Sequence, residues 1–91
     1  MWETLDPDGR RVVLDEVAWT HIVVEHDDLD CVPRDILQAV EAPGRRLHGR
    51  EPHEEWFYAS GIGPSRWLKV VVHYEEDAGR IVTAFARRSF P

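Results

Sequence analysis

The chain contains one cysteine, Cys31, and no long apolar run. A single cysteine excludes an intramolecular disulfide and a zinc site built from cysteine ligands. No stretch approaches the roughly 18 apolar residues that cross a bilayer, and the first residues lack the apolar core of a signal peptide. We therefore expect one cytoplasmic domain, residues 1–91, that has no membrane contact and is stabilised by packing.

Basic side chains are scarce in the first half of the chain. Residues 1–43 carry 11 acidic and 3 basic side chains, whereas residues 44–91 carry 6 acidic and 8 basic ones. The net charge of −6 therefore divides into −8 and +2. This division favours an anionic ligand at the second half, although two ordinary solvated surfaces explain it equally well.

Two segments in the first half show helical spacing. Asp15 is a typical N-cap, and the apolar residues that follow predict a helix over residues 16–27. Pro33 suits the first position of a second helix, and a Pro-Gly pair ends it, so we expect this helix over residues 33–41.

The apolar period changes from helical to two-fold after Gly44. The segments that show it are residues 44–50, 55–60, 66–76 and 80–88. Near the N-terminus, an Asp-Pro-Asp-Gly turn predicts a short hairpin or an extended edge. We therefore expect an α+β sandwich of two layers, in which two N-terminal helices pack on an antiparallel sheet of three to four strands.

Five histidines raise the question of a metal ion, but their spacing does not support one. His21 and His26 lie five positions apart on opposite sides of the first helix, whereas chelation from one helix needs three or four. We expect no metal and no cofactor, and we interpret His48, His53 and His73 as surface residues. His26 projects into an apolar arc, where it is either a proton-transfer group or a structural imidazole that satisfies a terminal carbonyl.

Cationic and aromatic side chains alternate through the predicted sheet. They are Arg45, Arg46, Trp56, Tyr58, Trp67, Lys69, Arg87 and Arg88. Such a set suits single-stranded nucleic acid, because bases stack on rings and phosphates pair with cations. It also suits a protein interface, in which Trp, Tyr and Arg dominate the binding energy. The pattern alone leaves both interpretations open.

Four segments resemble a known nuclease superfamily. They read WTHIVVEHDDL, EEWFYAS, WLKVVVHY and GRIVTAFARR. Together they are similar to phage-associated members of the Barnase, EndoU, colicin and RelE-like (BECR) superfamily, over roughly residues 10–88. The resemblance implies a RelE-like toxin fold and ribonuclease activity, and it points to His21, His26 and Thr83 as functional residues.

A ribonuclease of this kind would cleave RNA without a metal, through attack of the 2′-hydroxyl on its own phosphorus. This reaction needs a base for the hydroxyl, an acid for the leaving oxygen and cations for the developing charge. The resemblance then implies that His21 or His26 serves as base or acid. Tyr58 is a second candidate acid, and Thr83 would position an oxygen.

The same hypothesis assigns the phosphate to basic side chains of the second half. They are Arg46, Lys69, Arg87 and Arg88, of which the arginines can form bidentate contacts. The implied partners are RNA and, for a toxin-like protein, an antitoxin or another protein. The alternative is a non-catalytic protein-binding module of the same fold.

Overall fold

The computed structural model describes residues 1–62 and 64–89. Along the chain, a short N-terminal strand pair is followed by two helices and then by four further strands. The strands are Trp2–Leu5 (β1), Arg11–Leu14 (β2), Arg45–His48 (β3), Glu54–Ser60 (β4), Trp67–Glu75 (β5) and Ala78–Arg87 (β6), and the helices are Glu16–Glu25 (α1) and Pro33–Glu41 (α2).

All six strands belong to one sheet, in the order β1-β2-β6-β5-β4-β3. Neighbouring strands are antiparallel except β2 and β6, which pair in parallel through residues 11–13 and 78–80. The predicted fold, two N-terminal helices on an antiparallel sheet of three to four strands, is therefore wrong. A strand pair precedes the helices, and it extends the C-terminal strands into one mixed sheet.

The two helices begin and end at local signals. The Asp15 carboxylate accepts a 2.8 Å hydrogen bond from the backbone N–H of Ala18, which caps α1. α1 ends at Glu25, and the following residue His26 caps it by donating its N–H to the Ile22 carbonyl at 2.9 Å. α2 starts at Pro33 and is preceded by Val32, whose N–H donates to the Asp35 carboxylate at 2.9 Å. α2 has the predicted bounds, and α1 is two residues shorter than predicted.

The core lies between α2 and one face of the sheet. Its buried side chains come from both helices and from four strands. They include Val12, Leu14, Ile22, Ile36, Val40, Phe57, Val70, Val72 and Ile81. Among the described residues, no helix is long and apolar enough to span a bilayer.

α1 packs against β6. β2 pairs with β6 only as far as Arg80, and α1 packs beside the remainder of β6. Ala18 and Ile22 point into the core, whereas His26 lies near Phe85. The end of α1 therefore borders the face of the sheet that is turned away from α2, which we call the far face.

Candidate functional site on the far face of the sheet

Strand register defines the far face. In one row, Tyr58, Lys69 and Phe85 are neighbours across β4, β5 and β6. Two positions along, Trp56 and Val71 are partners, followed by Thr83 on β6. Because side chains alternate between faces along a strand, these two rows share a face, and core residues such as Phe57 and Val70 occupy the other.

Lys69 is the central residue of this face and is only 6% exposed. Within residues 1–62 and 64–89, the structure gives its ammonium no hydrogen bond and no carboxylate partner. Instead, Nζ lies 3.4 Å from the Trp56 ring centroid, 5.5 Å from that of Phe85 and 5.8 Å from that of Tyr58. Ring faces attract a cation but do not neutralise its charge.

The surroundings of Lys69 favour loss of its proton or arrival of an anion. Burial, followed by repulsion from Arg87 and Arg50, lowers the pKa of Lys69, and attraction to Glu54 opposes this change. A buried charge without a counter-ion is costly in free energy. A bound anion would remove that cost, so the position suits a phosphate.

A cleft of about 430 Å³ lies at Lys69. Its lining contains three cations and one carboxylate among apolar and aromatic side chains. The lining residues are Arg50, Glu54, Trp56, Lys69, Val71, Phe85 and Arg87. The volume is within the range of small-molecule sites, and the charge favours an anionic ligand with a planar group to stack.

Glu54 is held in place by three donors. Its carboxylate accepts hydrogen bonds from Trp56 Nε1 at 2.7 Å and from the Arg50 backbone N–H at 3.2 Å, and it bonds His73 Nε2 at 2.8 Å. Burial would raise the pKa of Glu54, but these bonds outweigh it, led by the one from His73, and the pKa is lowered. The carboxylate is therefore ionised at neutral pH and fixes the orientation of the His73 ring.

The sequence interpretation missed Glu54 and His73. The two residues lie 19 positions apart and meet only because they are register partners of β4 and β5. The His53 ring contacts the His73 ring edge-on at 4.9 Å between centroids. A period-two pattern in both strands could have suggested a common face, but the pairing needs the register.

The predicted histidines of α1 lie at the β6 side of the far face. The His26 ring is half-buried, and its centroid lies 5.4 Å from that of Phe85, which also faces Lys69. His21 is exposed, and its ring centroid lies 6.0 Å from that of His26. His26 thus adjoins the cleft through Phe85, and His21 stands one ring further out.

Tyr58 and Thr83 also belong to the far face. Tyr58 is fully buried, and this burial raises the pKa of its hydroxyl despite the nearby Arg87. The Thr83 hydroxyl is buried and has no hydrogen-bond partner among the described residues. A buried hydroxyl without a partner is uncommon, and Thr83 is the register partner of Val71, which lines the cleft.

The four predicted phosphate ligands are not all brought together. Lys69 and Arg87 line the cleft, and Arg88 is exposed beyond it. Arg46 pairs with Phe57 and so lies on the opposite face. There its guanidinium bonds Glu55 at 2.6 Å and Asp8 at 2.9 Å, and it lies 3.6 Å from Asp6.

The arginine that the sequence did not single out is Arg50, which lies in the loop between β3 and β4 and lines the cleft. Its role is apparent only once β3 and β4 are paired. Within residues 1–62 and 64–89, no three His, Cys, Asp or Glu side chains come together as a set of metal ligands.

No protein family, no curated protein and no solved structure matches this chain. The resemblance to the nuclease superfamily therefore stays a prediction.

Proposed function

We propose that the protein is a metal-independent endoribonuclease, toxin-like or phage-associated as its resemblance implies. In the proposed reaction, the 2′-hydroxyl loses its proton to a base, and an O2′–P bond forms as the P–O5′ bond breaks. An acid donates a proton to the leaving oxygen, which yields a 2′,3′-cyclic phosphate and a 5′-hydroxyl. Within this proposal the protein acts on cytoplasmic RNA.

One observation carries the proposal: the buried ammonium of Lys69 has no carboxylate partner among the described residues and borders the cationic cleft. The reaction builds negative charge on the phosphoryl oxygens. A cation that is already desolvated and held in position stabilises this charge more strongly than one in water. A scissile phosphate at Lys69 would be its counter-ion.

The remaining residues of the cleft match what a single RNA strand presents. Arg87 and Arg50 provide charge for phosphates, and Arg87 can form bidentate contacts with one. Trp56 and Phe85 provide rings on which a base can stack. In this arrangement His26, which contacts Phe85, is the nearer of the two predicted histidines for proton transfer.

The second candidate function is a non-catalytic protein-binding module. It is favoured by the outer side of α1, where Val17, Val23 and Val24 are 80%, 47% and 67% exposed. Exposed β-branched residues on a helix stabilise neither the helix nor the core, so a partner such as an antitoxin is an alternative explanation. This candidate requires binding but no RNA cleavage.

The deciding experiment incubates the purified protein with 5′-labelled single-stranded RNAs of varied sequence, with and without EDTA. We expect cleavage that survives EDTA and leaves cyclic phosphate ends. Lys69→Met preserves the shape of the buried side chain but removes its charge, and it should lower the cleavage rate about 100-fold or more.

Arg34→Ala is the matched control, because Arg34 lies on α2 and is exposed. It should cleave at the parental rate, and circular dichroism should show that both variants fold. Absence of cleavage by the parent, or cleavage abolished by EDTA, contradicts the proposal. Parental activity in Lys69→Met contradicts the role of Lys69.

A further inference from the structure

We infer that His73, oriented by Glu54, is the general base of the far-face cleft. This inference rests on the proposed RNA cleavage and adds a residue that neither the sequence pattern nor the resemblance indicates. It assigns the first proton transfer, from the 2′-hydroxyl to the His73 ring. His26 is left for the second transfer, to the leaving oxygen.

The hydrogen bond between Glu54 and His73 determines which ring nitrogen is basic. When neutral His73 donates its Nε2–H to the ionised carboxylate, the lone pair lies on Nδ1. No described residue forms a hydrogen bond with Nδ1. A carboxylate that fixes the tautomer of a histidine and stabilises its protonated form is the arrangement that supports a histidine base.

The carboxylate itself is placed by a built pocket. Trp56 Nε1 and the Arg50 N–H both donate to Oε2 of Glu54, and His73 Nε2 bonds Oε1. Gly49 lies against Glu54, and a Cβ at position 49 would overlap the Glu54 side chain. Glu54 is thus positioned far more tightly than a surface carboxylate that only pairs with a neighbour.

The same contacts connect this pair to Lys69. The Lys69 ammonium lies over the face of the Trp56 ring, and Nε1 at the edge of the same ring donates a hydrogen bond to Glu54. Glu54 and Lys69 line one cleft, which also contains Phe85, and Phe85 contacts His26 on the side of β6. Neither His73 nor His26 is part of the cleft lining itself; Glu54 connects His73 to the cleft, and Phe85 connects His26 to it.

Two histidines that approach the cleft from different elements, His73 on β5 and His26 after α1, suit the proposed RNA cleavage. In-line displacement places the attacking and leaving oxygens at opposite ends of the phosphorus. Two proton-transfer groups on different sides of the phosphate site therefore serve two different oxygens. The exposed His21 lies behind His26 and does not provide the second side.

The charged and titratable groups that face His73 are few. They come from β4 and the loop before it, from β6, and from a second cleft of about 300 Å³ that His73 itself lines. Among the described residues they are Glu54, His53, Arg80 (the register partner of His73), Asp15, Glu75 and the N-terminal Met1. Of these groups, Glu54 is the one that is hydrogen-bonded to the ring, so its removal should have the largest effect on the cleavage rate.

The test measures single-turnover RNA cleavage in EDTA for the parent, His73→Ala, His73→Gln and Glu54→Gln, with His48→Ala as the matched control. His48 is exposed on β3 and should be dispensable. Both His73 variants should lose about 100-fold or more in rate while they still bind RNA. Added imidazole should restore part of the His73→Ala rate, which a merely structural histidine would not show.

Glu54→Gln adds a second readout. Without the carboxylate, the tautomer and orientation of the His73 ring are no longer fixed, so Glu54→Gln should lower the single-turnover rate while the protein still binds RNA. A folded His73→Gln with the parental rate, or a His73→Ala that folds and is not rescued by imidazole, overturns the inference and leaves the proposed function standing. A parent that does not cleave RNA overturns both.

Discussion

The Tyr74 hydroxyl donates a 2.7 Å hydrogen bond to Asp6, 68 positions earlier in the chain. The Asp6 carboxylate is buried, and it also accepts the backbone N–H groups of Asp8 and Arg10, each at 2.9 Å. The Arg10 guanidinium lies 3.2 Å from the same carboxylate and 3.8 Å from the centroid of the Tyr74 ring. This cluster fixes the β1–β2 turn against β5, so it helps to seat the N-terminal hairpin in the sheet.

Tyr74→Phe should therefore destabilise the protein. The substitution keeps the ring that packs in the core but removes one donor from a buried charged acceptor. Such bonds are worth about 1.5–3 kcal/mol, and the free energy of unfolding should fall by that amount. Urea denaturation followed by Trp fluorescence measures the change.

The control for this measurement is Arg11→Ala, which removes an exposed ion pair with Glu3. It should cost about 1 kcal/mol at most. A Tyr74→Phe protein as stable as the parent would mean that the hydroxyl contributes nothing to the position of the hairpin.

The same cluster makes the free energy of unfolding depend on pH in the acidic range. Burial would raise the pKa of Asp6, but the hydrogen bonds from Tyr74 and two backbone N–H groups, with the charge of Arg10, hold it below the ordinary 3.8. A depressed pKa contributes stability that is complete above the ordinary value and is lost as the pH falls through the folded value. The parent should thus lose stability below about pH 4.

The comparison with Tyr74→Phe isolates Asp6 from other carboxylates. The difference in unfolding free energy between the parent and Tyr74→Phe should be largest near pH 7. It should narrow toward pH 3, because a protonated Asp6 is a weaker hydrogen-bond acceptor. Urea midpoints at several pH values measure this difference. A constant difference across the range would show that the hydroxyl does not act through the Asp6 charge.

The helices and the four C-terminal strands were predictable from the sequence, whereas the way the N-terminal strand pair joins them into one mixed sheet was not. Asp15 and Pro33 are local signals, and each precedes a helix close to the expected bounds. The parallel pairing of residues 11–13 with 78–80 joins segments that are far apart in sequence, and a four-residue strand such as β2 gives no indication of its partner. The mixed sheet therefore could not be derived from local patterns.

The candidate site shows the same division. Lys69 and Arg87 were identified because cationic and aromatic residues alternate in their strands. Arg45 and Arg46 are adjacent in a short strand, so they lie on opposite faces of the sheet, and the sequence does not say which one lies on the far face. Glu54 and His73 needed the register of β4 and β5, because nothing near either residue indicates a dyad.

The Cys31 thiol should react slowly in the folded protein. Burial, with smaller contributions from Asp35 and Asp30, raises the pKa of Cys31 from 9.0 to about 11. Because the thiolate is the reactive form, alkylation by iodoacetamide at pH 7.5 should be about 100-fold slower in buffer than in denaturing urea. Mass spectrometry of timed samples measures both rates, and equal rates would contradict the shielding of this side chain.

Gly79→Ala should destabilise the sheet at the start of β6. Gly79 is buried, and a Cβ there would lie 2.8 Å from Cε1 of the Tyr74 ring and 2.9 Å from Cγ1 of Val72. Overpacking of this kind costs about 1–3 kcal/mol. Thermal unfolding measures it, and Ala78→Gly at the exposed neighbouring position is a control with a smaller expected loss. An unchanged melting temperature in Gly79→Ala would mean that Tyr74 and Val72 move apart freely.

Two substitutions should separate the contribution of charge to RNA binding at the far face from the contribution of base stacking. Arg87→Ala removes a phosphate partner, so the dependence of log K on log salt should become shallower by about 0.7, the contribution of one phosphate on a single strand. Trp56→Leu removes a ring but no charge, so it should weaken binding by about 1–3 kcal/mol without a change in slope. Fluorescence anisotropy of a labelled single-stranded RNA between 50 and 200 mM salt measures both quantities. Arg34→Ala on α2 is the matched control and should change neither; if it lowers the slope as much as Arg87→Ala does, the RNA is not bound by the far face.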